Sequence, residues 1–130
     1  MEKLKILLAD DHASFRQTLT SFLNAQENVE VVAEASNGFE AVEQTEIFQP
    51  DVVLMDIHMP KQNGLEATRA IKLRWPNTRV IILSMDPSEL YRSNTQAIAD
   101  GFIPKSSMKH SLMHMLASEQ SRMALMGVAA

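Results

Sequence analysis

Three aspartates, a serine and a lysine carry the chemistry this 130-residue chain could do: Asp10 and Asp11 side by side, then Asp56, Ser84 and Lys105. Each stands at or just past the carboxyl end of an apolar run (ILLA, VVLM, VIIL and GFIP in turn). From Asp11 onward they are 45, 28 and 21 residues apart, so only tertiary structure can bring them together. Carboxylates brought together repel unless a cation neutralises them or one takes up a proton. Oxygen donors without thiolates suit a hard ion, and carboxylate plus water plus phosphate oxygen suits Mg²⁺. A carboxylate can also act as a nucleophile and form an aspartyl phosphate. In that chemistry the protein supplies position and charge: a metal on one side of the phosphoryl group, an ammonium on another, a hydroxyl donor on a third. Asp56, in VLMDIHMP with Pro60 and Gly64 shaping the loop behind it, is the best-placed nucleophile.

The elements that must position these residues are legible as apolar runs. Leu4–Ala9, Val29–Ala35, Asp51–Met55, Arg79–Ser84 and Gly101–Ile103 read as strands. ILLA, DVVLM and RVIIL are continuous rather than alternating, as in strands buried on both faces. Between the runs lie helical spacings: Phe15, Leu19, Phe22 and Leu23; Phe39, Val42 and Phe48; Leu65, Thr68, Ile71 and Lys72. Asp86-Pro87-Ser88-Glu89 reads as an N-cap, a proline at the first helical position and a capping-box glutamate, opening a helix to Asp100. A last helix is expected over Ser107–Glu119, with Leu112, Met115 and Leu116 facing in. Residues 121–130 either prolong that helix or begin a linker. Alternating strands and helices imply a parallel sheet covered on both faces, and in such sheets ligands bind at the carboxyl ends of the strands.

Composition narrows the function. With 12 Lys+Arg against 16 Asp+Glu, the net charge of −4 argues against an electrostatic nucleic-acid binder. The absence of cysteine excludes disulfides and thiolate metal sites. MEKLKILLA is too short in its apolar run for a signal peptide, and no apolar stretch approaches a membrane span. A cytoplasmic domain is expected.

The acidic pair in ILLADD, the setting VLMDIHMPKQNG, the strand end IILS and the segment GFIPK together resemble a response-regulator receiver domain of two-component signalling, over about residues 3–118. The texture of DIHMPKQNGLEATRAIK, VVAEASNGFEAV and GFIPKSS is most similar to the branch with a C-terminal helix-turn-helix DNA-binding domain. The resemblance implies a three-layer α/β/α fold, flavodoxin-like (CheY-like), with a five-stranded parallel sheet in the order 2-1-3-4-5 over residues 1–120. It implies a phosphorylation-activated switch rather than an enzyme, with Asp56 accepting a phosphoryl group from a sensor histidine kinase or histidine phosphotransfer protein. Asp10, Asp11, the Asp56 carboxylate and the His58 backbone carbonyl would hold Mg²⁺. Lys105 would pair with phosphoryl oxygens, Ser84 would report phosphorylation, and Phe102 would occupy the aromatic switch position. A homodimer is open, and DNA would be reached only through an effector domain outside this chain.

The chain departs from the family pattern at Met85, where a small residue is usual, at Phe102, which lacks a tyrosine hydroxyl, and at Ser106, where proline often follows the lysine. The isomer of the peptide after Lys105 is left open. Blander readings compete: Asp10 and Asp11 suit a helix N-cap, and Phe102 suits core filling. Asp86 reads as a helix N-cap or as a border of the pocket. His12 and His58 flank the carboxylates and invite a transition-metal reading, which is set aside because His12 is expected to point along the first helix and His58 occupies a variable position of the family. A haloacid-dehalogenase-like phosphatase would need an Asp-x-Asp arrangement in place of the adjacent pair, and a pseudo-receiver would not need Asp56 and Lys105.

Overall fold

The computed structural model describes residues 2–84 and 98–129. Strands β1 (Leu4–Ala9), β2 (Val29–Ala35), β3 (Val52–Asp56), β4 (Arg79–Ser84) and β5 (Gly101–Pro104) pair in parallel in the order β2-β1-β3-β4-β5. Helices α1 (Ala13–Asn24), α2 (Gly38–Phe48), α3 (Gly64–Arg74) and a C-terminal helix (Met108–Ala129) cover the sheet. This is the expected five-stranded, CheY-like arrangement.

The continuous apolar runs are explained by two cores, one on each face. Leu4, Ile6 and Leu8 of β1 join Leu54 and Leu83 beneath α1 and the C-terminal helix, with Leu19, Leu23, Leu112 and Leu116. Their neighbours Leu7 and Ala9 join Val53, Met55, Val80 and Ile82 beneath α2 and α3, with Ala41, Ala67 and Ile71. Because successive side chains of a strand point to opposite faces, both positions must be apolar.

Several expectations need correction. Asp51 does not open β3. Its carboxylate accepts from the Lys5 amide at 2.8 Å, and its own carbonyl accepts from the Arg79 amide at 3.1 Å, so it joins strand starts from outside. The strand runs one residue further and ends on Asp56, in register with Leu83. On α2 the inward residues are Gly38, Ala41 and Thr45, whereas Phe39 and Phe48 are exposed. A buried threonine is tolerated because its hydroxyl donates to the Ala41 carbonyl at 2.7 Å. Ser107 falls in a 3₁₀ turn, Lys105–Ser107, ahead of the C-terminal helix. That helix continues past Glu119, with Met123 against the core and the Gln120 side-chain amide donating to the Glu27 carbonyl at 3.1 Å. Met85 and the helix expected from Asp86 lie outside the described residues, except that 98–100, expected in that helix, form a turn and bend. The peptide after Lys105 is trans.

Candidate functional site

The site is assembled by strand ends. β1 stops at Ala9, and the Asp10 amide still donates to the Ala35 carbonyl at 3.0 Å, so Asp10 is held at the rim and fully buried. Asp56 closes β3 and is 4% exposed, and Ser84 closes β4, also buried, directly after the partner of Asp56 in the sheet. Lys105 follows β5, whose last residue pairs with Ser84. The Lys105 Nζ lies 3.1 Å from Asp10 Oδ2 and 3.4 Å from Asp56 Oδ1, and 4.6 Å above the Phe15 ring of α1. The aromatic face and the two carboxylates fix one ammonium in the pocket.

The loop behind Asp56 is equally constrained. The Gly64 amide donates to the Ile57 carbonyl at 2.9 Å, and a Cβ on Gly64 would collide with the Asp56 carbonyl. Glycine is therefore required for α3 to start this close to the end of β3. Asn63 caps α3 by accepting from the Glu66 amide at 2.9 Å, and Lys61 takes a left-handed φ of 66° to make the turn. The Gly38 amide donates to the Gln62 carbonyl at 2.8 Å, tying the loop to α2.

Burial is the largest influence on the Asp56 carboxyl and raises it above its ordinary value of 3.8; the Lys105 ammonium works against this, and the charge of Asp10 adds to it. One ammonium thus faces three carboxylates, a balance that favours uptake of a cation. Asp10, Asp11 and Asp56 offer hard oxygen donors that lie within 4.8 Å of one another, which fits a small divalent ion such as Mg²⁺.

The sequence matches the family described as the response regulator receiver domain over residues 6–117. The chain belongs to that family. This receiver is 41% identical over 104 residues to the transcriptional regulatory protein DegU of Brevibacillus brevis, covering 79% of the chain but only 44% of DegU. It superposes on the signal receiver domain of the response regulator NarL from Mycobacterium tuberculosis with a TM-score of 0.81 and 31% identity, covering 92% of this chain and 98% of that one. A chain of the CheX–CheY–BeF3–Mg complex from Borrelia burgdorferi gives a TM-score of 0.81 at 26% identity, covering 90% of this chain and 89% of that one.

In the receiver, Asp10, Asp11, Asp56 and Lys105 come together at one rim, with Ser84 at the adjoining strand end. Phe102 sits on β5 opposite Ile82, partly buried against the α2–α3 side of the sheet. His58 lies two residues past Asp56 in the β3–α3 loop, exposed. His12 departs from expectation. Its ring turns back onto the acidic pair instead of along α1, with Nδ1 3.2 Å from Asp10 Oδ1 and 3.1 Å from Asp11 Oδ1. The reason is local: His12 is the N-cap residue with extended backbone, and its amide already donates to Asp10 Oδ1 at 2.8 Å. Arg16 was not foreseen either. One helical turn on, its guanidinium donates to the Asp10 carbonyl at 2.6 Å and to Glu34 at 2.9 Å, bracing the end of β1. The signal was present in the chain, since His12 and Arg16 follow the pair at helical spacing.

Proposed function

We propose that this receiver is a phosphorylation-activated switch in which Asp56 accepts a phosphoryl group from a sensor histidine kinase or histidine phosphotransfer protein in the cytoplasm. The observation that carries the reading is a buried carboxylate at a strand end, 3.4 Å from a lysine ammonium and beside two further carboxylates. An Asp56 carboxylate oxygen attacks phosphorus, the P–N bond to the donor histidine breaks, and the imidazole leaves with the electron pair and takes up a proton. Lys105 neutralises charge on the phosphoryl oxygens, and the Ser84 hydroxyl donates to one of them. Asp10, Asp11, Asp56 and the His58 carbonyl are the groups that would hold Mg²⁺, which supplies charge neutralisation and orientation of the phosphoryl group when bound. The resulting preference of Ser84 and Phe102 for one packing shifts the population between two states of the β4–β5 face. By analogy with DegU, a transcriptional regulatory protein, the output is control of transcription. The domain's own chemistry is then limited to self-phosphorylation and slow self-dephosphorylation.

The test is incubation with Mg²⁺ and acetyl phosphate, followed by intact-mass analysis. A single labile phosphoryl adduct, absent from Asp56→Asn, is expected. Steady turnover of a phosphate ester that is lost in Asp11→Asn would instead make the domain a phosphatase.

A further inference from the structure

We propose that Phe15 is a positioning residue for phosphoryl transfer: the face of its ring holds the Lys105 ammonium in the pocket while that ammonium exchanges carboxylate partners for phosphoryl oxygens. The inference rests on the reading of Asp56 as the phosphoacceptor. Phe15 stands in the first turn of α1, four residues past Asp11, and packs partly buried against the core beneath that helix. Another apolar residue of similar size could fill the same place. An aliphatic one would not supply a π face, and Lys105 Nζ lies over this one, 4.6 Å from the ring centroid. That is well inside the reach of about 6 Å over which the negative face of a ring attracts a cation. The lysine side chain is 11% exposed, so little water screens the contact.

The ring matters because the other partners of Lys105 are shared. Asp10 Oδ2 at 3.1 Å and Asp56 Oδ1 at 3.4 Å belong to the carboxylate cluster that fits a divalent cation, so an ion bound there would draw on the same charge. Asp56 also changes when it is phosphorylated. The Phe15 ring offers no oxygen to such an ion and is not altered by the reaction, so its hold on the ammonium is the same before and after. Lysine is a compact charge on a flexible four-carbon stem, and ordering that stem costs rotamer freedom. With the ammonium held beforehand, that cost is not met again in the transition state, where Lys105 offsets charge on the phosphoryl oxygens.

Fluorination separates this role from core filling, because each fluorine withdraws electron density from the ring face yet adds hydrophobic area. The test replaces Phe15 of the full chain by 4-fluoro-, 3,5-difluoro- and 3,4,5-trifluorophenylalanine, all nearly isosteric. Rates of Asp56 phosphorylation by acetyl phosphate with Mg²⁺ are read by intact mass. The expected result is a rate that falls stepwise along the series, by about three- to tenfold in total. Thermal melts of the same series are run with Lys105 and with Lys105→Met, where fluorination should leave Tm unchanged or raise it. A rate that is flat or rises along the series, or a Tm response that is the same in both backgrounds, overturns the inference while an Asp56 adduct leaves the phosphoacceptor reading standing. Failure of the unsubstituted chain to form an adduct at Asp56 overturns both.

Discussion

Neutralising Asp56 should stabilise the metal-free domain. At an effective dielectric constant of about 20, unit charges no more than 4.8 Å apart repel by at least roughly 3.5 kcal/mol, and an opposite pair at 3.4 Å attracts by roughly 5 kcal/mol. With all three carboxylates charged, Asp56 feels two such repulsions from Asp10 and Asp11 against one attraction to Lys105, a net cost of at least roughly 2 kcal/mol. Burial adds to the cost, and solvent around Asp11, whose side chain is 31% exposed, takes part of it back. Asp56→Asn, close to isosteric, should therefore raise the unfolding free energy by about 1–2 kcal/mol in EDTA at pH 7, or Tm by roughly 4–8 °C.

The pH dependence follows from the raised Asp56 carboxyl. Below its ordinary value of 3.8 the group is neutral in folded and unfolded chains alike, and its stabilising contribution relative to the charged form is fully present. As pH rises through that value and the higher folded one, the folded state resists ionisation and stability is lost. Wild type and Asp56→Asn should thus converge near pH 3 and separate toward pH 7, and Mg²⁺ should close the gap by stabilising wild type more. Urea melts at pH 3.5 and 7, with EDTA or Mg²⁺, measure this. Equal or lower stability of Asp56→Asn at pH 7 in EDTA, or a gap that ignores pH, would refute the electrostatic account.

Gly64→Ala forces a methyl group into the Asp56 carbonyl; a loss of about 1–3 kcal/mol in urea melts and a slower acetyl-phosphate reaction are expected. Arg79 donates to the buried Glu119 at 2.8 Å and 3.3 Å, so Arg79→Met should cost about 2–3 kcal/mol by stranding that carboxylate, less than for a fully enclosed pair because Arg79 is 29% exposed. Asn37→Ala removes the cap that accepts from the Glu40 amide at 2.9 Å and should cost about 1 kcal/mol in the same melts.

The central strands were legible because burial on both faces leaves runs such as ILLA, VVLM and VIIL without polar interruption, and β1, β2 and β4 have the bounds expected for them, the edge strand β2 although Glu30 and Glu34 interrupt it. The carboxylates and Lys105 were legible for a related reason, since a charge at the end of such a run must emerge at the sheet rim. The inward face of α2 is less legible, because its large apolar residues Phe39 and Phe48 are not the inward ones. At the start of this helix the Gln62 backbone lies too close to Gly38 for any side chain there; Ala41 and Thr45 face in, Val42 packs against the core from its edge, and Phe39 and Phe48 lie outside. Asp51 was assigned to β3 because its side-chain bond to Lys5 joins residues 46 apart, which no local pattern encodes. His12 was legible as a neighbour of the acidic pair from its type and position, but the direction of its side chain depends on a rotamer that only the folded backbone selects.

The central claim is that Asp56, and no neighbouring carboxylate, forms the covalent bond. Treating the domain with acetyl phosphate and Mg²⁺, reducing the adduct with borohydride and sequencing its peptides reads the acylated position directly. Conversion of Asp56 alone to homoserine is the predicted result. Conversion at Asp10 or Asp11, or a stable phosphate on Ser84 with Asp56 untouched, would contradict it.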